Sequence, residues 1–209
     1  MSNFNLQEVE QQQSNKTKII TEIYDWLDII ISSVIAVVII FTLFFRIVTI
    51  VGDSMQNTLY NGERIVISDM FYKPKYGDIV VISRNMDNSA KDSTRTAEPI
   101  IKRVIATGGQ YVDIDFDRGV VSVGYDLGNM TELKEPYTKT PTNREADVKF
   151  PLYVEEGYVF VLGDNRNNSK DSRFSEIGED GLINEKYILG RAVFRILPFD
   201  RIGGLSFDE

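Results

Sequence analysis

The chain reads as a mostly-β domain preceded by one N-terminal transmembrane helix. Three features carry that reading. Short β-like runs punctuated by Gly, Pro and Asn follow residue 60, one uncharged apolar stretch lies near the N-terminus, and a polar segment without apolar periodicity precedes it. With 209 residues, 43% of them hydrophobic and 26% charged, there is material for one globular domain and an appended segment.

The N-terminal residues include the run Gln11, Gln12, Gln13, Ser14 and Asn15 and read as a disordered tail over 1–24. The uncharged stretch 29–45 is continued past Arg46 by Ile47, Val48, Ile50 and Val51, which is the length that crosses a bilayer and sets a transmembrane helix at 25–50. Glu22, Asp25 and Asp28 stand where a cleavable signal sequence would carry basic residues, so an uncleaved anchor is expected. Lys16 and Lys18 ahead of the span, against Arg46 behind it, bias the N-terminus to the cytoplasm. The domain at 51–209 is then extracytoplasmic, on a single-pass protein of the cell membrane. Strands are expected at 64–68, 78–83, 100–105, 111–114, 120–123, 158–162 and 191–196. Polar loops fall at 84–98 and 124–149, the second long enough to hold a small inserted subdomain.

The sequence contains no Cys and no His. That removes a Ser-His-Asp triad, a thiol nucleophile, disulfides and His- or Cys-ligated zinc, and leaves acid and base chemistry to Lys, Asp, Glu or Tyr. A net charge of −8 gives no basic footprint for nucleic acid. No cofactor is expected, and no metal.

Ser54, in Gly52-Asp53-Ser54-Met55, follows the apolar span directly and so belongs close to the bilayer surface, where a substrate would be membrane-associated. By residue type alone it is equally a turn or cap residue. Lys102 lies in the run 99–105, where strand alternation places it with Ile100 and Val104 and places Arg103 with Ile101 and Ile105. A lysine among aliphatic side chains loses hydration, which disfavours its ammonium form and leaves an amine able to take a proton from a serine hydroxyl. Arg cannot do this. The alternative is that both cations snorkel from an edge strand. No Ser-x-x-Lys tetrapeptide occurs, so the two residues must meet by folding. The run 163–173, Gly-Asp-Asn-Arg-Asn-Asn-Ser-Lys-Asp-Ser-Arg, is dense in hydrogen-bonding side chains, and by type it is a solvated turn or an irregular calcium loop.

Taken in order, Ser54-Met55 after an anchor, the Lys102-Arg103 strand, the 163–173 run, the segment 77–80 and the strand at 190–194 resemble the type I (leader) signal peptidases. The resemblance covers the chain from the anchor onward. It implies a β-rich catalytic core with an inserted smaller β subdomain, at about 113–150. It also implies a serine endopeptidase that removes signal peptides from exported preproteins after a small residue, through a Ser/Lys dyad and an acyl-enzyme. In that family's pattern Ser54 matches the nucleophile and Lys102 the general base. Met55 matches an apolar residue packed beneath the site, and Ser169 the hydroxyl that orients the lysine amine. Asp171 and Arg173 match residues bracing the site as an ion pair, with Asp164, Asn165 and Arg166 in support. The implied partners are the preproteins, the lipid bilayer and the secretion translocon nearby.

The sequence also departs from the pattern. Ser-Met-x-Pro-Thr-Leu appears as 54–59 with Asn57 in place of proline, and Arg-Val-Ile-Gly-x-Pro-Gly-Asp appears as 103–110 with Gly108 and Gln110 in place of proline and aspartate. Gly52 replaces a hydroxyl residue that donates to the oxyanion in some members, leaving that work to the Ser54 backbone N–H. Two other readings compete: a self-cleaving repressor-type Ser/Lys protease, which the short acidic N-terminus disfavours, and a non-catalytic membrane-tethered β module.

Overall fold

In the computed structural model of the protein, residues 2–83 and 98–205 are described, with side chains at Lys18 and from residue 20 onward. The chain forms two units, Met1–Phe44 and Phe45–Glu209.

The first unit is a single α-helix, Ser2–Phe44, whose segment Ile20–Phe44 is long and apolar enough to cross a membrane. Its boundaries differ from expectation at both ends. Residues 2–24, expected as a disordered tail, are helical. The sequence has no Gly or Pro before Gly52, and Leu, Gln, Glu and Lys favour the helix. At the other end the helix stops at Phe44, and the residues expected to continue it form strand β1 (Phe45–Thr49). This strand pairs antiparallel with β2 (Arg64–Ser68), Ile47 opposite Val66 and Val48 opposite Ile65. Its β-branched residues suit a sheet as well as an apolar helix, and the ladder decides between them.

The second unit is mostly β. After β2 come β3 (Ile79–Ile82), β4 (Ile100–Thr107), β5 (Tyr111–Asp115), β6 (Val120–Gly124), β7 (Thr131–Glu132), β8 (Leu152–Tyr153) and β9 (Tyr158–Leu162). The short β10 (Ile183–Asn184), the long β11 (Ile188–Leu197) and β12 (Gly203–Gly204) complete it. An eight-stranded sheet runs β1-β2-β11-β3-β4-β9-β10, with β12 on β11, and a four-stranded sheet runs β7-β6-β5-β8. The stretch 113–150, expected as an inserted subdomain, supplies most of the second sheet. The polar loop expected at 84–98 lies outside the described residues, except for Glu98.

Two of the cores position the site. One joins Met55 and Leu59 to Ile50, Ile65, Ile67, Ile79, Val81 and Ile101, and so fixes the turn carrying Ser54 to the large sheet. The other packs Ile105, Phe160 and Leu162 of the large sheet against Val112, Ile114 and Val121 of the small one. Phe160 is its largest fully buried side chain and meets Phe150 edge to face at 5.8 Å between ring centroids. Phe160→Ala is expected to lower the unfolding free energy by about 3–5 kcal/mol. Urea denaturation should show this as a lower midpoint at unchanged slope.

Candidate functional site

The turn bearing Ser54 is built by short-range hydrogen bonds. Gln56 N–H donates to Asp53 O (3.2 Å), and Thr58 and Leu59 N–H donate to Met55 O (3.0 and 2.8 Å). Gly52 enters it with φ +88°, in the left-handed region that glycine adopts without strain, and its N–H donates to Asn61 Oδ1 at 3.0 Å. Buried Met55 anchors the turn from below, while Ser54 is left half-buried.

Lys102 lies in the middle of β4, opposite Val80 of β3. Its side chain reaches Ser54, with Nζ 2.8 Å from Ser54 Oγ and 2.9 Å from Ile101 O. The residue is only 3% exposed. Two residues far apart in the sequence therefore meet at hydrogen-bonding distance, the lysine out of water and the serine at the edge of solvent. The Ser54 backbone N–H takes part in none of the turn's hydrogen bonds.

Strand β4 buries both of its cations, so neither snorkels to solvent. Arg103 is as deep as Lys102. It is tolerated there because its Nε and Nη2 donate to the two oxygens of Asp164 at 2.8 and 2.7 Å, and its Nη1 donates to Gly77 O at 2.6 Å. The Tyr137 ring lies 3.9 Å from its guanidinium carbon. Thr58 Oγ1 also donates to Asp164, tying the far end of the Ser54 turn to the same carboxylate.

Most of the run 163–173 is buried, with only Asn167, Asn168 and Lys170 of it exposed. Arg173 forms a bidentate pair with Asp171 (Nε to Oδ1 2.8 Å, Nη2 to Oδ2 2.9 Å), neither side chain exposed. Gly163 N–H donates to Asp171 Oδ2 at 3.1 Å, and Arg173 Nη2 donates to Arg166 O at 2.5 Å. Asn165 closes the run onto the serine turn: its N–H donates to Ser54 O (2.9 Å) and its Nδ2 to Asp53 O (3.0 Å). Ser169 is buried here, but its Oγ makes no hydrogen bond, so the contact to the Lys102 amine implied by resemblance is not formed. Arg166 donates through Nη1 to Glu135 Oε2 and Thr142 Oγ1, both at 2.7 Å, and through Nη2 to Glu135 Oε1 at 2.5 Å. Burial alone would lower the Arg166 pKa, but its bonds to Glu135 outweigh this and raise it. Burial first, then the Glu135 charge, push the Tyr137 phenol pKa up, so both side chains keep their neutral-pH charge states. Glu135, Tyr137 and Thr142 escape sequence reasoning because they sit in an irregular polar stretch. Their only signal is that a buried Arg166 demands a carboxylate from somewhere.

The chain is similar to known proteins over most of its length. Residues 23–197 match the family described as "Signal peptidase, peptidase S26". A signal peptidase I of Bacillus licheniformis is 30% identical over 92% of this chain and 97% of its own length. A probable signal peptidase I-1 of Synechocystis is 35% identical over 74% of this chain and 72% of its own. A probable chloroplastic thylakoidal processing peptidase 2 of Arabidopsis thaliana is 34% identical over 77% of this chain, which spans 40% of that longer relative.

The site has no room at Gly163. A Cβ there would stand 2.5 Å from Ser54 O and against Ser169 Oγ. Gly163→Ala is expected to cost about 1–3 kcal/mol through overpacking. It should also speed hydrogen exchange at the Asn165 amide, measured by NMR beside the thermal midpoint.

Proposed function

The chain belongs to the signal peptidase family of peptidase S26, and from that premise we propose that it is a membrane-anchored serine endopeptidase that removes signal peptides from exported preproteins, with Ser54 as nucleophile and Lys102 as general base. The observation that carries the reading is the 2.8 Å approach of a buried lysine amine to the Ser54 hydroxyl. Burial disfavours the ammonium form, so Lys102 can hold the lone pair that a base needs. A tethered binding module has no use for such a pair.

The reaction then runs in two halves. The Ser54 hydroxyl gives its proton to Lys102 Nζ as Oγ attacks the scissile carbonyl carbon, and the oxyanion forms facing the Ser54 N–H. The C–N bond breaks, and the new N-terminal amine of the mature protein leaves with the proton from the lysine ammonium. A water then gives a proton to the neutral amine while its oxygen attacks the ester. Collapse returns the proton to Ser54 Oγ and releases the signal peptide as a carboxylate.

Helix Ile20–Phe44 is proposed as the anchor, with the N-terminus cytoplasmic and residues 51–209 on the extracytoplasmic side near the translocon. Met55 is proposed to support the turn from below. Asp171 and Arg173 brace the loop facing it, and Ser169 lies in that loop with its Oγ making no hydrogen bond.

Ser54→Ala and Lys102→Ala should each lower preprotein cleavage by about 10⁴-fold or more. Lys102→Arg should be equally inactive, because a guanidinium does not deprotonate. N-terminal sequencing of the mature product should place the cut after a small residue. In a pH series, kcat/KM should rise from the acid side as Lys102 loses its proton and then level off. A rate that instead falls with rising pH over that limb would rule out the neutral lysine as base.

A further inference from the structure

Between β7 and β8 the chain leaves the small sheet as an irregular segment, and five of its residues, 135–139, cross to the site. Glu135 takes both ends of the Arg166 guanidinium and also accepts a hydrogen bond from Tyr137 Oη at 2.9 Å. Tyr137 lays its ring against Arg103. Lys139 N–H donates to Asp164 O at 2.9 Å, and its Nζ donates to Gln56 Oε1 at 2.7 Å. Gln56 in turn donates through Nε2 to Asp53 Oδ1 at 2.7 Å, beside Ser54.

The segment touches Arg103, Asp164, Arg166 and Gln56, each next to or bonded to a group that holds the reacting pair. Arg103 is the residue after Lys102. Asp164 precedes Asn165, whose N–H holds the Ser54 carbonyl. Arg166 follows Asn165 and bonds back to Gly163 O at 3.1 Å. The two arginines are buried, so each depends on what covers it, and this segment supplies the carboxylate for one and the aromatic face for the other.

We propose that segment 135–139 is a positioning strap: Glu135, acting through Arg166, and Tyr137, acting through Arg103, fix the Ser54 carbonyl and the Lys102 strand at reacting distance. The inference rests on the Ser54/Lys102 reading above. Each strap residue is assigned a role at one remove, through the arginine it covers. Loosening the strap lets the 163–166 run and β4 drift relative to the Ser54 turn, which affects the chemical step more than substrate affinity.

The test uses the full-length protein in detergent with a preprotein substrate. Glu135→Gln, Tyr137→Leu and Tyr137→Phe are compared with Ser54→Ala as the inactive reference. Glu135→Gln and Tyr137→Leu should lower kcat by about 10-fold with KM within about twofold of the parent. Tyr137→Phe keeps the ring against Arg103 and should stay within about threefold of the parent rate. Thermal melts confirm that each variant is folded at the assay temperature. If Glu135→Gln is not folded there, the Leu and Phe variants at 137 decide alone, since the strap requires them to differ. Wild-type kcat in folded Glu135→Gln and Tyr137→Leu, or equal losses in the Leu and Phe variants, would overturn the strap. Cleavage by Ser54→Ala would instead overturn the underlying reading of the reacting pair.

Discussion

Arg103 and Asp164 meet in the core as a bidentate pair with 2% and 0% of their side chains exposed. Neither charge is tolerable there without the other. Their pairing sets where β4 lies relative to the loop after β9, and therefore where Lys102 lies relative to Ser54. Two further pairs continue the same arrangement, Arg173–Asp171 within the loop and Arg166–Glu135 to the irregular segment after β7, joined where Arg173 bonds the Arg166 carbonyl. Buried pairs of this kind add little net stability over well-packed apolar side chains. What they supply here is direction: each guanidinium fork donates to a carboxylate in one plane and at one distance. The base proposed at Lys102 would need such a setting, because an amine free to reach water takes up a proton.

Much of this was legible in the sequence, and the parts that were not have physical reasons. Strands of the large sheet are written in their Val and Ile runs, and the missing His and Cys direct attention to a serine and a lysine. The approach of Lys102 to Ser54 rests on the neighbouring 163–173 run, whose pattern can be recognised but whose burial cannot. Asx-rich segments are usually solvated, and only the folded chain shows Asp164, Asp171 and Arg173 sealed from water. Strand β1 was hidden for a different reason. Its residues are as apolar as the helix before it, and only pairing with β2 makes them a strand. Glu135 and Tyr137 are invisible to any periodicity, because they belong to a segment with no regular structure.

The departures from the family pattern are met by hydrogen bonds. Where a proline would stiffen the turn after β4, the Gln110 side chain accepts from Thr107 N–H at 2.8 Å, and Gly109 N–H donates to Val154 O at 2.9 Å. Around Asn57 the turn is closed by the Met55 carbonyl and by Thr58 on Asp164. Gly52, lacking a hydroxyl, is held by Asn61. Rigidity that proline would build into the unfolded chain is here acquired on folding, which makes these turns depend more on the surrounding core.

Strand β11 lies between β2 and β3 in the middle of the large sheet, although it comes near the end of the chain. The sheet that carries the serine turn on one side and the lysine strand on the other therefore closes only when residues 188–197 arrive. During synthesis the parts of the site are made early, but the strand that unites them is made late. Contacts so distant in sequence form slowly and leave unpaired strand edges exposed in the interval. Until residues 188–197 are made and paired, a growing copy therefore has no closed sheet to hold Ser54 and Lys102 at hydrogen-bonding distance.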